Sequence, residues 1–116
     1  ICRVDDLDRA LAGAPAGAGR AVDLQRGDFR WRMGVPPDGR LPCDDCFPAL
    51  IEWRGPKPQD RLADAGCRLV RLEVAHPTAD ALRAQVPLTD ARVVFVKGAR
   101  AIRATMATPH GERVLE

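Results

Sequence analysis

The sequence predicts an α+β fold of two βαβββ modules, which form a curved, mostly antiparallel sheet or half-barrels with helices on the outer face. Three observations lead to this prediction. Alternating apolar and polar segments of strand length recur along the chain, one segment in each half reads as a helix, and both halves repeat the same order of elements. We place the first module at 1–54, a linker at 55–66 and the second module at 67–116.

The first module begins with a short strand and a helix whose first turn is acidic, as helix starts prefer. Leu7 and Leu11 fall on one face of that helix. Gly- and Pro-rich stretches separate the later segments, which alternate in polarity as strands do. The predicted elements are a strand at 1–4, a helix at 5–14, strands at 21–27 and 28–35, a loop at 36–48 and a strand at 49–53.

The second module repeats this order after a linker rich in proline and charge. Its helix carries a proline near its start, where the missing amide hydrogen costs nothing. The predicted elements are a strand at 67–75, a helix at 76–86, strands at 91–98 and 101–108, a turn at 109–111 and a strand at 112–116.

The repeat also appears residue by residue, when "FRWRMGVPPDG" is aligned with "IRATMATPHG" and one residue is gapped. The matched pairs are Arg30 with Arg103, Met33 with Met106, Pro37 with Pro109, and Gly39 with Gly111. Agreement in pattern, order and spacing makes a chance match the weaker explanation.

Composition limits the classes of function. The chain has 116 residues, of which 46% are hydrophobic and 29% charged, which is a globular balance. The net charge of +2 is too small to favour nucleic-acid binding. The absence of serine and tyrosine excludes a serine nucleophile and a tyrosine acid within this segment. No apolar run reaches the length of a membrane span.

Strand alternation separates an apolar side-chain set from a polar one. We expect the apolar set, with Trp31 and Trp53 among it, to pack under the helices. The polar set, if it converges, lines a cup that would bind a carboxylate or phosphate through its arginines. Cross-strand ion pairing is the competing interpretation. The polar set is Arg30, Arg32, Glu52, Arg71, Glu73, Arg103 and Thr105.

The cysteines allow several interpretations. Cys43 and Cys46 form a Cys-x-x-Cys, but structural zinc needs four ligands, and Cys2 and Cys67 lie in different modules. A redox dithiol usually lies at a helix start, whereas these thiols flank two acids in a loop. We favour a loop with incidental cysteines. Without a secretory signal we expect reduced thiols in a cytoplasmic protein.

Paired βαβββ modules with "VDDLD" at the first strand-to-helix junction and "LIEW" in a closing strand resemble the vicinal oxygen chelate superfamily. Segments such as "FRWRMGVPPDGRLPCDDCFPALIEWRG" are similar to those of bacterial glyoxalase-like domain proteins. The superfamily includes glyoxalase I, extradiol dioxygenases, and bleomycin and fosfomycin resistance proteins. The resemblance covers essentially the whole chain and implies a further module upstream of Ile1.

The resemblance also implies a divalent metal held on the concave face. The glutamate of the closing strand corresponds to Glu52, and its counterpart in the second half falls on Leu115, or on Glu116 after a one-residue slip. The histidine position of the first strand falls on Arg71. We therefore expect no cofactor from this segment, unless an upstream module supplies metal ligands. His76 and His110 are interpreted as surface groups.

Three functions remain open. The first is a metal-dependent lyase or isomerase, or a dioxygenase relative, with Glu52 as metal ligand or base. The second is a non-catalytic binding protein for an anionic small molecule or drug. The third is an assembly module that completes another βαβββ unit. The expected partners are a small-molecule ligand and a second copy or further module, with neither nucleic acid nor membrane.

Overall fold

The computed structural model describes residues 1–116 and divides them into two compact units. Unit 1 comprises Ile1–Leu62 and Gln85–Pro87, and unit 2 comprises Ala63–Ala84 and Leu88–Glu116. Each unit contains one four-stranded mixed sheet. The predicted α+β class and the βαβββ order of elements are therefore confirmed in both halves of the chain. No helix is both long enough and apolar enough to cross a membrane.

The sheet of unit 1 has the strand order β1-β4-β3-β2. Strand β1 runs parallel to β4, and the other neighbours are antiparallel. A short 3₁₀ turn at Pro58–Arg61 lies in the predicted linker. The elements of unit 1 are β1 (Cys2–Arg3), α1 (Leu7–Ala12), β2 (Arg20–Arg26), β3 (Phe29–Val35) and β4 (Leu50–Trp53).

Helix α1 begins at an acidic cap and packs closely on the sheet. The Asp6 carboxylate accepts a hydrogen bond from the Arg9 backbone N–H at 2.9 Å, which satisfies one of the unpaired donors of the first turn. Leu7, the first residue of α1, is fully buried. Phe47 and Leu50, also almost fully buried, complete the centre of this core.

The helix covers the opposite face of this sheet from the one we expected. A Cβ atom built on Gly34 would lie 2.9 Å from a Leu11 methyl carbon of α1, so Gly34 faces the helix. Side chains two residues apart on a strand share a face, which places Arg32 on the helix side as well. Glu52 is the cross-strand partner of Arg32. The prediction that the apolar set lies under the helix is therefore wrong for unit 1.

The position of small residues explains why α1 covers this face of the sheet. Alternation identifies two faces but does not say which one a helix can approach. Gly34 and Ala21 are paired across β2 and β3, and they leave the room that α1 needs on their side. Trp31 and Trp53, which we expected under the helix, lie on the other face and are half-buried, with ring centroids 5.6 Å apart.

The sheet of unit 2 has the strand order β6-β5-β7-β8. Strand β5 runs parallel to β6 and antiparallel to β7, and β7 forms an antiparallel hairpin with β8. The elements of unit 2 are β5 (Arg68–His76), α2 (Ala79–Gln85, whose last residue belongs to unit 1), β6 (Val93–Lys97), β7 (Ala101–Thr108) and β8 (Gly111–Leu115).

The two units thus share an order of elements but not an order of strands. In unit 1 the first strand lies at the sheet edge, beside the last strand. In unit 2 the first strand, β5, lies between β6 and β7. The two first strands also differ in length: β1 has 2 residues and pairs along one side only, whereas β5 has 9 residues and pairs on both sides.

The predicted alternation of faces holds along most of β5 and β7, but two members of the predicted apolar core, Val70 and Ile102, are exposed. Phe95 lies under the Arg83 guanidinium of α2, and its cross-strand partner Val74 is buried, so the apolar face meets the helix. A register irregularity between Leu69 and Arg71 changes the alternation. As a result Leu69, rather than the predicted Val70, pairs with Met106 on the apolar face, and Val70 is exposed.

Candidate functional site

Glu52 is buried, and groups of the protein itself occupy both of its carboxylate oxygens. One oxygen, Oε2, accepts the backbone N–H of Leu7 at 2.9 Å, in the first turn of α1. The other, Oε1, lies 2.8 Å from an Arg54 guanidinium nitrogen. An Arg32 nitrogen lies 3.8 Å from Oε2. Glu52 therefore ties strand β4 to the start of α1 and neutralises nearby cations.

Arg32 connects this carboxylate to the helix. Its guanidinium donates two hydrogen bonds to Asp8 of α1, at 2.8 and 3.0 Å, in the bidentate geometry that strengthens such pairs. These hydrogen bonds lower the pKa of the Asp8 carboxyl and raise the pKa of Arg32. Asp23 of β2 lies 3.6 Å from Arg32 Nε. Arg32 is thus committed to carboxylates of its own chain, and its hydrogen-bonded partner is Asp8 of the helix rather than the expected Glu52 on the neighbouring strand.

A cleft of about 290 Å³ opens at the adjoining end of the same sheet. We name it the arginine cleft; its lining residues are Asp23, Leu24, Gln25, Arg30, Trp31 and Arg54. Arg30 is exposed and forms no side-chain hydrogen bond or ion pair. One guanidinium nitrogen of Arg54 forms an ion pair with Glu52, and 52% of the Arg54 side chain remains exposed to solvent. The cleft therefore combines one unpaired guanidinium with one partly paired guanidinium.

A larger cavity of about 470 Å³ lies elsewhere in unit 1. Its charged lining residues, Arg3, Asp5, Asp6 and Arg9, are all exposed, and Asp6 already caps α1. The mixture of signs gives this cavity no preference for an anion. We therefore take the arginine cleft, although it is smaller, as the candidate site.

The candidate residues of unit 2 lie together on one face of their own sheet. Arg71 is the cross-strand partner of Thr105, and Glu73 is the partner of Arg103. Arg71 forms its ion pair with Glu73 of the same strand, at 2.9 Å. Arg103 pairs with Glu116. Arg30, Arg32 and Glu52 belong to unit 1, so a single cup that contains the whole predicted set stays a prediction.

The strand register corrects one assignment. The alignment of Arg30 with Arg103 also aligns Arg32 with Thr105, two residues further along each strand. The cross-strand partner of Arg32 is Glu52, and the cross-strand partner of Thr105 on β8 is Val114. The counterpart of Glu52 is therefore Val114, not Leu115. Sequence alignment missed this because the β3–β4 connection is a long loop and the β7–β8 connection is a tight turn.

The two histidines differ in environment. His110 is exposed in the β7–β8 turn, as predicted. His76 is buried, with 7% of its surface exposed, so the prediction of a surface group is wrong. Its Nδ1 accepts the backbone N–H of Thr78 at 3.1 Å, just before α2 begins. Burial follows because His76 ends the central strand β5 on the face that meets α2.

Sequence reasoning missed Arg54, Asp23 and Asp8 as members of this cluster. Arg54 was the last residue before the linker, yet it follows Glu52 by two positions and continues the same face. The alternation of β2 likewise gives Asp23 a definite face, on which Arg32 lies. Asp8 could not be found this way, because its contact depends on where α1 crosses the sheet.

The model of one protein family, the glyoxalase-like domain, matches residues 1–89. The chain belongs to the glyoxalase-like domain family. The match spans unit 1, the linker and the first strand and helix of unit 2, and it agrees with the resemblance to the vicinal oxygen chelate superfamily. No curated protein and no solved structure matches the chain.

In this glyoxalase-like domain, the residue that corresponds to the superfamily's metal-ligating glutamate, Glu52, is already engaged by the protein itself. Both oxygens of Glu52 are engaged by the protein, and the Arg32 cation lies 3.8 Å from one of them. A divalent ion there would displace the helix contact and meet a like charge. Glu52 serves as a structural carboxylate in this arrangement.

Proposed function

We propose that this glyoxalase-like domain binds a small anionic molecule in the arginine cleft, without a metal and without using Glu52 as a base. The observation that carries the proposal is Arg30, a cation on the cleft wall with no carboxylate partner. Arg32 and Arg61, by contrast, are paired with carboxylates of the protein. An unpaired guanidinium beside a second, half-exposed one attracts carboxylate or phosphate oxygens.

The size and lining of the cleft restrict the ligand. A volume of about 290 Å³ suits a small metabolite rather than a polymer. Asp23 lines the same cleft and disfavours a second negative charge near it. We therefore assign a monoanionic carboxylate as the preferred class, with phosphate as the weaker ligand.

The metal-dependent lyase or isomerase is the less favoured function. It would use Glu52 as metal ligand or as base, and either role requires a carboxylate oxygen that can reach a substrate. Here Oε2 holds the amide of Leu7 and Oε1 holds Arg54. Releasing Glu52 would cost the start of α1 one of its hydrogen bonds. The anion-binding function needs no such rearrangement.

The test is a titration of the domain with benzoate, acetate and inorganic phosphate, followed by calorimetry and thermal shift. We expect saturable binding, stronger for the two carboxylates than for phosphate, and a higher melting temperature because the ligand binds only the folded state. Arg30→Ala should weaken binding by about 10-fold or more, since a charge-assisted hydrogen bond contributes about 1.5–3 kcal/mol.

Arg20→Ala is the matched control. Arg20 is an exposed arginine of β2, outside the cleft, and its removal changes the net charge by the same amount. It should leave the affinity nearly unchanged. If Arg20→Ala and Arg30→Ala weaken binding equally, the effect is one of overall charge and the proposed site is wrong. Failure of all three anions to bind the wild-type domain would reject the function itself.

A further inference from the structure

The loop before β4 contains a turn of unusual hand. Cys43, Asp44 and Asp45 have φ angles of 56°, 53° and 64°, so three consecutive residues other than glycine adopt the left-handed conformation. Such residues usually avoid this region because the Cβ atom approaches the following carbonyl. Specific contacts must therefore hold the turn.

Those contacts are visible at both ends of the loop. The Asp45 carboxylate accepts the backbone N–H of Leu41 at 2.7 Å, and the Asp45 backbone N–H donates to the Leu41 carbonyl at 3.1 Å. The Phe47 backbone N–H donates to the Pro42 carbonyl at 3.0 Å, and the Phe47 ring is fully buried in the core of unit 1. The turn is thus closed by hydrogen bonds and anchored by a core residue.

This turn brings its two cysteines together. The Cys46 backbone N–H donates to the Cys43 carbonyl at 2.9 Å, which closes a four-residue turn. The first and last Cα atoms of such a turn lie within about 7 Å of each other. A disulfide spans Cα atoms about 4.4–6.8 Å apart. The reduced loop therefore already holds Cys43 and Cys46 near the separation that a disulfide requires.

We propose that Cys43 and Cys46 are a reversible redox site, which forms an intramolecular disulfide with a low-molecular-weight disulfide such as oxidised glutathione. The Cys43 thiolate attacks one sulfur of the oxidant, forms a mixed disulfide and releases one glutathione thiolate. The Cys46 thiolate then attacks the Cys43 sulfur and releases the second. The protein loses two protons and two electrons, and the oxidant becomes two molecules of reduced glutathione.

Burial sets the order of these two steps. Cys43 is half-buried, so a small oxidant reaches it from solvent. Cys46 is buried, with 6% of its surface exposed, so it meets the incoming sulfur only after Cys43 has been modified. This assignment differs from the loop with incidental cysteines that the sequence favoured. It does not depend on anion binding in the arginine cleft.

The other two cysteines do not share this arrangement. Cys2 is buried in β1, and burial raises the pKa of its thiol, which lowers the thiolate fraction available for exchange. Cys67 is exposed, lies in unit 2, and can form mixed disulfides or link two molecules. Cys67→Ala therefore provides a clean background for the test.

The experiment exposes the folded Cys67→Ala protein to oxidised glutathione and measures its intact mass. We expect the loss of two hydrogens without a retained glutathione, a digest in which Cys43 is linked to Cys46, and full reversal by dithiothreitol. A stable glutathione adduct, or an unchanged mass, would overturn the proposal.

Two further variants in the same background separate the roles. Cys46→Ala removes the resolving thiol, so Cys43 should retain one glutathione instead of losing it. Cys43→Ala alters the less buried position and is the safer variant for folding; it should leave the protein without adduct or internal disulfide. If Cys43→Ala still takes up one glutathione rapidly, then Cys46 is the accessible thiol and the assigned order is wrong.

Discussion

At the scale of single residues, Glu52 shows how a side chain can keep its place in a family pattern while acquiring a structural role. Its carboxylate faces the first turn of α1, where unpaired backbone amides attract negative charge. Arg54 and Arg32 surround the remaining surface of the carboxylate. The "LIEW" pattern identified the residue, but its contacts depend on a helix 45 positions earlier in the chain.

Glu52→Ala should lower the free energy of unfolding by about 2–3 kcal/mol, because it leaves the buried amide of Leu7 and the Arg54 guanidinium without their acceptor. Glu52→Gln keeps one acceptor oxygen for Leu7 and should cost about half as much. Urea denaturation measures both losses, provided that the slope of the unfolding free energy against urea concentration is the same for the variants and the wild type.

Glu73→Ala is the control for this pair of variants. Glu73 is also a strand glutamate, but it is less buried than Glu52 and its ion pair is with Arg71, whose side chain is 50% exposed. Its removal should cost less than about 1 kcal/mol. Equal losses for Glu52→Ala and Glu73→Ala would contradict a special role of Glu52 in holding α1.

At the scale of elements, the position of α1 depends on the absence of a side chain at Gly34. A Cβ atom there would lie 2.9 Å from the Ala18 carbonyl oxygen and 2.9 Å from a Leu11 methyl carbon. Leu11 can rotate away, but the backbone oxygen can move only with its loop. The close approach of helix and sheet is what places Asp8 within reach of Arg32.

Gly34→Ala should therefore destabilise the protein by about 1–3 kcal/mol, as overpacked cores do. Gly55→Ala is the matched control, because a Cβ atom at Gly55 meets nothing within 4 Å, and it should change stability by less than about 0.5 kcal/mol. Thermal and urea unfolding of the two variants provide the comparison. A neutral Gly34→Ala would mean that α1 does not pack where the structure has it.

At the scale of the whole molecule, exposed ion pairs are spread over both units. Hydrogen bonds from arginine lower the pKa of four aspartates, and for Asp90 the value falls to about 2. The pairs are Asp8 with Arg32, Asp28 with Arg61, Asp64 with Arg68, and Asp90 with Arg92. Each carboxylate is easier to ionise in the folded chain than in the unfolded chain.

These aspartates therefore stabilise the folded chain fully at any pH above their unfolded pKa, which is about 3.9. Their contribution is lost as the pH falls through their lowered pKa values in the folded chain. We expect the melting temperature to be insensitive to these groups above about pH 5 and to decline from about pH 4 towards pH 2. Added salt should reduce the decline, because exposed pairs are screened. Melting curves across this pH range at two salt concentrations measure it; a flat profile would contradict the pairing.

The sequence by itself determined the α+β class, the order of strands and helices along the chain and the glyoxalase-like resemblance. These follow from alternation, helix-start acids and turn residues, which act over a few positions. It also identified Arg30, Arg32 and Glu52 as residues of interest and placed Arg71 and Glu73 on one face of a strand.

Tertiary structure decided which face each helix covers, which strand lies next to which, and which carboxylate each arginine binds. Helix α1 packs on the side of Gly34, where the missing side chain leaves room for a close approach, and Glu52 on the same face therefore binds the first turn of α1. Likewise β5, and not β6, became the neighbour of β7. Such outcomes depend on contacts between residues that are distant in sequence, and periodicity carries no information about them.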